Sequence, residues 1–206
     1  MSHRVKTNPR KLPQQGRSRE TVDALLEATA QLLVRDGYDK ASTNKIALKA
    51  GVSIGSLYQY FPSKEALVAE LLERHYDEMS RICREAMDQF RSDPLPSLIR
   101  ETVKAMVAVH AVNPKLHAVL QEQVPRVGKL MKLDLLHAET EANVRTLLAS
   151  RQDELRVKNI DLAAFMVVEA VDSLLHASLE PRKEQWNVDV MVAEITDLLL
   201  AYLLRQ

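Results

Sequence analysis

The sequence predicts an all-α protein, on three observations. Apolar residues recur at helical spacing along most of the chain, only 5 glycines and 8 prolines interrupt its 206 residues, and no stretch reads as a credible strand. With 46 % hydrophobic but only 4 % aromatic residues, the chain can bury a sizeable core built mostly of aliphatic side chains. The start and stop signals taken in order below divide it into about nine helices.

Residues 1–16, with Arg4, Lys6, Arg10, Lys11, Pro9, Pro13 and Gly16, read as a basic arm. An unstructured terminus and an arm that lies along a polyanion both fit that composition. Ser18 is the expected cap of the first helix, whose positions Val22, Leu25, Leu26, Thr29, Leu32 and Leu33 hold one face before Gly37 ends it.

Thr43 to Leu67 is the most informative stretch. Ile46, Ala47 and Ala50 share a helical face, and Gly51 follows where the backbone must turn left-handed, a conformation glycine adopts cheaply. Val52 tucks under the turn, Ser53 caps a second short helix, and Leu57 with Phe61 supplies its buried side. The outer side keeps Ser53, Ser56, Tyr58, Gln59 and Tyr60, small and planar hydrogen-bonding groups suited to base edges and phosphate oxygens. Two short helices around a tight turn, the second with a polar outer face, are the layout that enters a DNA major groove.

Thr43, Ile46-Ala47, Ala50-Gly51-Val52-Ser53, Gly55, Leu57-Tyr58, Tyr60-Phe61 and Ser63-Lys64-Glu65 resemble the DNA-binding domain of the TetR family of bacterial transcriptional regulators. The likeness extends upstream through Arg17 to Gly37, so it covers roughly residues 15–70; beyond that it rests on helical layout and length. Gln59 departs from the aromatic residue or histidine often found there. The resemblance implies an N-terminal three-helix helix-turn-helix domain at 17–64, followed by a helical ligand-binding and dimerisation domain at 65–206. It implies DNA contacts from Arg17, Thr43, Asn44, Lys45, Ser53, Gly55, Ser56, Tyr58, Gln59, Tyr60 and Lys64. Gln59 is the expected sequence reader, since an amide pairs bidentately with adenine; Tyr60 and Lys64 are expected to clamp the phosphate backbone.

Charge supports a nucleic-acid partner although the formal total is zero. Residues 1–64 carry 11 Lys/Arg against 5 Asp/Glu, and residues 65–206 carry 17 against 23. A basic head on an acidic body concentrates attraction for phosphate at one end.

After Pro62, Ser63 is placed to cap a long helix whose apolar face, from Leu67 through Met79, Cys83 and Met87 to Phe90, runs for about 43 Å at the usual rise. Asp93-Pro94 and Asn113-Pro114 each read as a capping side chain followed by proline at the first helical position. Later helices are expected at about 94–111, 114–123, 128–153, 160–180 and 187–204. The segment Val124-Pro125-Arg126-Val127-Gly128 breaks the pattern and fits a gate or a plain inter-helix loop. Met79, Met87, Met106, His110, Leu120, Met131 and Met166 are candidates for an effector chamber with a flexible apolar lining, and ordinary core fits the same residues. Val103, Val107, Leu116, Leu130 and Leu135 extend that lining, with His117, His137, Glu122 and Glu141 as further polar anchors. Trp186 reads as a packing anchor. From Leu162 to Leu175 apolar side chains surround the helix axis, so one face must meet something besides its own domain. A central core helix beside a terminal cover fits that pattern; the resemblance implies instead that this helix and the last one form a four-helix homodimer interface through Ala163, Val167, Val171, Leu174, Ile195, Leu199 and Tyr202.

The single cysteine, Cys83, excludes an internal disulfide framework, and no paired Cys/His spacing points to zinc. No Gly-rich phosphate cradle or nucleophile-and-base set points to an enzyme or to a cofactor. The amino terminus lacks an apolar signal core, and the Leu162–Leu175 run falls short of a bilayer span, so a soluble cytoplasmic protein without membrane attachment is expected. The expected partners are an operator in double-stranded DNA, a second copy of the chain and an unidentified small molecule.

Overall fold

A computed structural model describes residues 16–127, 131–178 and 187–205. The arm up to residue 15, Gly128, Leu130 and Trp186 lie outside the described residues. Among those residues the fold is all α: α1 Gly16–Asp36, α2 Thr43–Ala50, α3 Ile54–Tyr60, α4 Lys64–Gln89, α5 Leu95–Val112, α6 Pro114–Val127, α7 Met131–Ser150, α8 Ile160–Ser178 and α9 Val188–Leu203. A short 3-10 turn, Gln152–Glu154, follows α7. No helix among them is long and apolar enough to cross a membrane.

The described residues form two compact units. The first takes residues up to 75 together with 115–132, and the second takes 76–114 together with 133–206, so α4 runs through both.

In the first unit, α1 packs on α2 and α2 on α3. Leu25 and Leu33 of α1, Ile46 of α2, Leu57 of α3 and Leu67, Val68 and Leu72 of α4 are completely or almost completely buried, as is Phe61. Burial of such side chains stabilises by roughly 1.5–3 kcal/mol each, which is what lets helices as short as α2 and α3 persist. The Thr29 hydroxyl, also buried, donates to the Leu25 carbonyl at 2.7 Å, so its polar atom does not cost the core a hydrogen bond.

In the second unit α5 packs on α9 and on α8, and α8 on α9. Their core joins Cys83 and Met87 of α4 with Leu95, Leu98, Val103, Val107, Leu148, Ala163, Ala164, Val171, Leu175, Ile195 and Leu199. The chain end is tied back to the turn after α7. Arg156 N–H donates to the Leu203 carbonyl at 2.8 Å, and Leu155 pairs with Leu204 in an isolated antiparallel bridge. Arg151 reaches the carbonyls of Arg91 and Asp93, fixing the α4–α5 connection.

Several element boundaries differ from the sequence reading. α1 begins at Gly16, so Ser18 lies inside the helix rather than capping it. α5 starts one residue later than expected, with Pro94 in the cap position and no side-chain cap; the Asp93 carboxylate instead accepts from Ser97 Oγ at 3.5 Å. Pro114 does open α6, which then continues through Pro125 to Val127. The helix expected over 128–153 ends at Ser150, where the 3-10 turn takes over.

Candidate nucleic-acid interface

The turn between α2 and α3 is built by its backbone. Gly51 has φ 69° and ψ 25°, the left-handed cap, and Val52 N–H reaches the Ala47 carbonyl at 3.0 Å to close the end of α2. Ser53 then takes an extended conformation and its Oγ accepts from the Ser56 N–H at 3.0 Å, starting α3. Ser42 does the same for α2 by accepting from Lys45 N–H.

With Leu57 fully buried, the opposite side of α3 faces outward. Ser53, Ile54, Gly55, Tyr58 and Gln59 are exposed, while Ser56 and Tyr60 are half-buried. The Ser56 hydroxyl lies 2.8 Å from that of Ser53. Thr43 Oγ1 lies 3.1 Å from the Tyr58 hydroxyl, so the first residue of α2 and the middle of α3 share one hydrogen bond on this face. Asn44, Lys45 and Lys49 of α2 are exposed. Lys45 Nζ donates to the Lys40 carbonyl at 2.9 Å. Arg17 lies on the α1 backbone.

The start of α4 is fixed from two sides. Ser63 Oγ accepts from Ala66 N–H at 3.2 Å, confirming the expected cap. Lys64 Nζ donates to the Tyr38 carbonyl at 2.8 Å and sits 3.8 Å from the Tyr38 ring centroid, while the Tyr38 hydroxyl donates to Glu65 at 3.0 Å. Burial pushes the Glu65 carboxyl up. Bonds from its own backbone N–H, from Ser63 and from Tyr38, with the Lys64 charge, outweigh that and hold it below the usual carboxylate range. Tyr38 was not singled out in the sequence; its place directly after the glycine that ends α1 is the only signal it left.

The candidate effector residues are divided between the two units. In the second unit Met87 and His110 are buried, Met79 and Met106 half-buried, and Val103 and Val107 part of the core. Leu120 is buried in the first unit, as is His117, whose Nδ1 lies 2.6 Å from His75 Nε2. Leu135 and Glu122 are exposed, and His137 pairs with Glu169 at 2.9 Å on the surface. Met166 is exposed on α8, where its sulfur accepts from the Tyr202 hydroxyl at 3.4 Å. Met131 lies on the α7 backbone.

A polar group of which the sequence reading singled out only His110 joins α4, α5 and α8. His176 Nδ1 lies 3.1 Å from Asp172, and His110 Nδ1 lies 2.7 Å from the Met106 carbonyl. Burial raises the Asp172 carboxyl, but the His176 bond and the nearby His176, His110 and His137 rings bring it below its ordinary value. Burial, with a smaller contribution from Asp172, pushes the Tyr76 hydroxyl up to about 12. The low charge density of the α8 sequence hid this group, because Asp172 reads there as a mere interruption of an apolar run.

The expected dimer residues divide by face. Ala163, Val171, Ile195 and Leu199 turn into the core of their own unit and have almost no surface for a second copy, a correction to the sequence reading. The reason is that apolar side chains lie on every side of α8 despite its few charges, so spacing alone could not say which stripe faces its own core. Leu174 is exposed, Val167 and Tyr202 are half-buried, and Leu162, Phe165, Met166 and Leu198 complete an exposed apolar face across α8 and α9.

Comparison with known proteins places this architecture. Residues 25–71 match the family model for the bacterial regulatory proteins of the tetR family, and residues 94–203 match the tetracyclin repressor-like C-terminal domain. The HTH-type transcriptional repressor KstR of Rhodococcus jostii is 25 % identical over 114 residues, 52 % of this chain and 54 % of that protein. The uncharacterized HTH-type transcriptional regulator YuxN of Bacillus subtilis is 37 % identical over 60 residues, 29 % of this chain and 21 % of its own length. The chain thus spans between about a fifth and about half of these curated relatives. The fatty acid degradation regulator FadR of Bacillus halodurans has the same fold, with a TM-score of 0.72 at 19 % identity over 91 % of this chain and 97 % of that one. With both halves matched, the chain belongs to the TetR family of bacterial regulatory proteins.

Proposed function

We propose that the protein is a ligand-responsive repressor that binds a pseudo-palindromic operator as a homodimer. Residues 17–64 are its DNA-binding head, 1–16 a basic arm, and 65–206 the effector-binding and dimerisation body. The observation that carries this reading is the outward face of α3, with Tyr58 and Gln59 exposed beside a glycine turn in the basic first 64 residues. Ser56, Tyr58 and Gln59 meet base edges; Thr43, Asn44 and Lys45 at the start of α2, with Ser53, Gly55, Tyr60 and Arg17, meet the backbone or lie against it. An ammonium has three donors, so the bond from Lys64 to Tyr38 leaves others for a phosphate oxygen.

A second copy docks on the exposed apolar face of α8 and α9. One short helix makes few contacts, whereas two heads on one body read both half-sites and gain from effective concentration. A small apolar or amphipathic molecule in the body favours a state with α4 tilted, and half-sites about 34–36 Å apart are then no longer matched. Fold neighbours support such a ligand: SmeT of Stenotrophomonas maltophilia, with a TM-score of 0.67, 17 % identity and cover of 91 % of this chain and 93 % of that one, is the repressor of a multidrug efflux pump, and its complex with triclosan is known.

A salt-dependent gel shift with genomic fragments tests the reading. Fragments retained at low salt, released with a steep salt dependence and enriched in an inverted repeat are expected; retention of none contradicts it. One relative favours a second reading, activation. The HTH-type transcriptional activator FasR of Mycolicibacterium smegmatis is 41 % identical over 63 residues, 31 % of this chain and 29 % of that protein. A promoter fusion separates the two, since deletion of the regulator raises expression under repression and lowers it under activation.

A further inference from the structure

Two histidines of the second unit carry chemistry that DNA recognition does not use. His110 is buried near the end of α5, and His176 lies half-buried in the last turn of α8. Their rings meet edge to face with centroids 5.6 Å apart, and a coordinating nitrogen of one lies within 4.8 Å of a coordinating nitrogen of the other. Two nitrogens bound to one zinc-sized ion, each at about 2.0–2.1 Å, stand no more than about 4.2 Å apart, so a small side-chain rotation suffices.

The hydrogen bonds at Nδ1 fix the tautomer of each ring. A carbonyl oxygen only accepts, so the 2.7 Å contact with Met106 makes Nδ1 of His110 the protonated nitrogen and leaves the lone pair on Nε2. The Asp172 carboxylate, 3.1 Å from Nδ1 of His176, sets the same tautomer there. Both Nε2 atoms are shielded from solvent. An imidazole whose far N–H is held by a backbone carbonyl or a carboxylate is oriented as metal-bound imidazoles are.

We propose that His110 and His176 coordinate a divalent transition-metal ion of the zinc class between α5 and α8, with Asp172 as the positioning residue for His176. The remaining coordination positions go to solvent or to a small nitrogen- or oxygen-bearing ligand. Nitrogen donors select Zn²⁺, Co²⁺, Ni²⁺ or Cu²⁺ over Mg²⁺ and Ca²⁺, which want oxygen. The inference stands apart from the effector and operator readings, since binding of the ion requires neither.

The test uses the full-length chain without an affinity tag, stripped with chelator and titrated with Co²⁺ by visible absorption and with Zn²⁺ by calorimetry. One ion per chain is expected, with no binding of Mg²⁺. His110→Ala and His176→Ala should each lower affinity at least about 100-fold, and Asp172→Asn about 10–100-fold, with a change in the Co²⁺ spectrum. Zinc-edge X-ray absorption on the unmutated protein should show at least two imidazoles on the metal, which answers the case of a variant that does not fold. Absence of stoichiometric binding, Mg²⁺ binding as tight as Zn²⁺, or a zinc spectrum without imidazole overturns the proposal.

Discussion

The Lys64 ammonium lies 3.8 Å from the centre of the Tyr38 ring and donates to that same residue's carbonyl at 2.8 Å, while the Tyr38 hydroxyl reaches Glu65. One aromatic residue thereby locks the connection after α1 onto the first turn of α4, behind the helix-turn-helix. Tyr38→Ala removes the ring, the cation–π contact and a hydrogen bond, and should destabilise the protein by roughly 2–3 kcal/mol. The salt slope of DNA binding by the folded fraction should be unchanged. Lys64→Ala should instead lower that slope by about 1. Denaturant titration beside salt-dependent anisotropy checks the pair; an unchanged slope in Lys64→Ala removes the phosphate contact from the account.

The two glycines of the interface should respond in opposite directions. At Gly51 an added Cβ meets nothing within 4 Å, yet φ is 69°, so Gly51→Ala should cost about 1–2 kcal/mol through the backbone alone. Gly55 lies in α3, and there a Cβ would meet only Ser53 Oγ at 3.8 Å, an ordinary contact. Gly55→Ala should therefore raise stability by about 0.5–1 kcal/mol and still weaken DNA binding, because the proposed docking brings the duplex against that backbone. Thermal unfolding and operator titration on the same preparation decide it. Higher stability with full affinity would mean that the duplex keeps away from the start of α3.

These local features were readable because each is short-range: a glycine in left-handed backbone, a serine cap and an apolar triplet fix the turn within a dozen residues. The features that depend on packing were not. Apolar side chains lie on every side of α8, so the stripe with Ala163 and Val171 could not be told from the one with Phe165 and Leu174 until the partner helices were placed. Pro125 looked like a break, and α6 passes through it. His110 and His176 are far apart in sequence and met only through the packing of α5 on α8, which no spacing rule for metal ligands detects.

The exposed face of α8 and α9 makes its own prediction. Phe165 and Leu198 are 48 % and 53 % exposed, so charging them leaves the unit's own core intact. Phe165→Glu with Leu198→Glu should turn the proposed dimer into a monomer of unchanged helicity, with operator affinity reduced at least about 100-fold through loss of effective concentration. Sedimentation velocity reads the first effect and anisotropy the second. A double variant that stays dimeric moves the interface elsewhere.

Acid should loosen the start of α4 through Glu65. Its folded pKa lies below the unfolded value, so its contribution is fully present above the unfolded carboxylate pKa of about 4.3 and is lost as pH falls through the folded value. Glu65→Gln should flatten that part of the stability–pH curve while lowering stability at neutral pH. Parallel slopes for the two proteins in that window would contradict the assignment of Tyr38, Ser63 and Lys64 as its partners.

The central claim is that the outer face of α3 reads DNA twice over in a symmetric pair. Anisotropy titration of the purified chain and of Gln59→Ala against the inverted repeat recovered from genomic fragments, with each base pair of one half-site varied in turn, tests it most directly. The account predicts two chains per site and, for Gln59→Ala, discrimination lost at one base pair per half-site by roughly 1–3 kcal/mol with the others kept. A single chain per site, or a substitution profile that Gln59→Ala leaves unchanged, would contradict it.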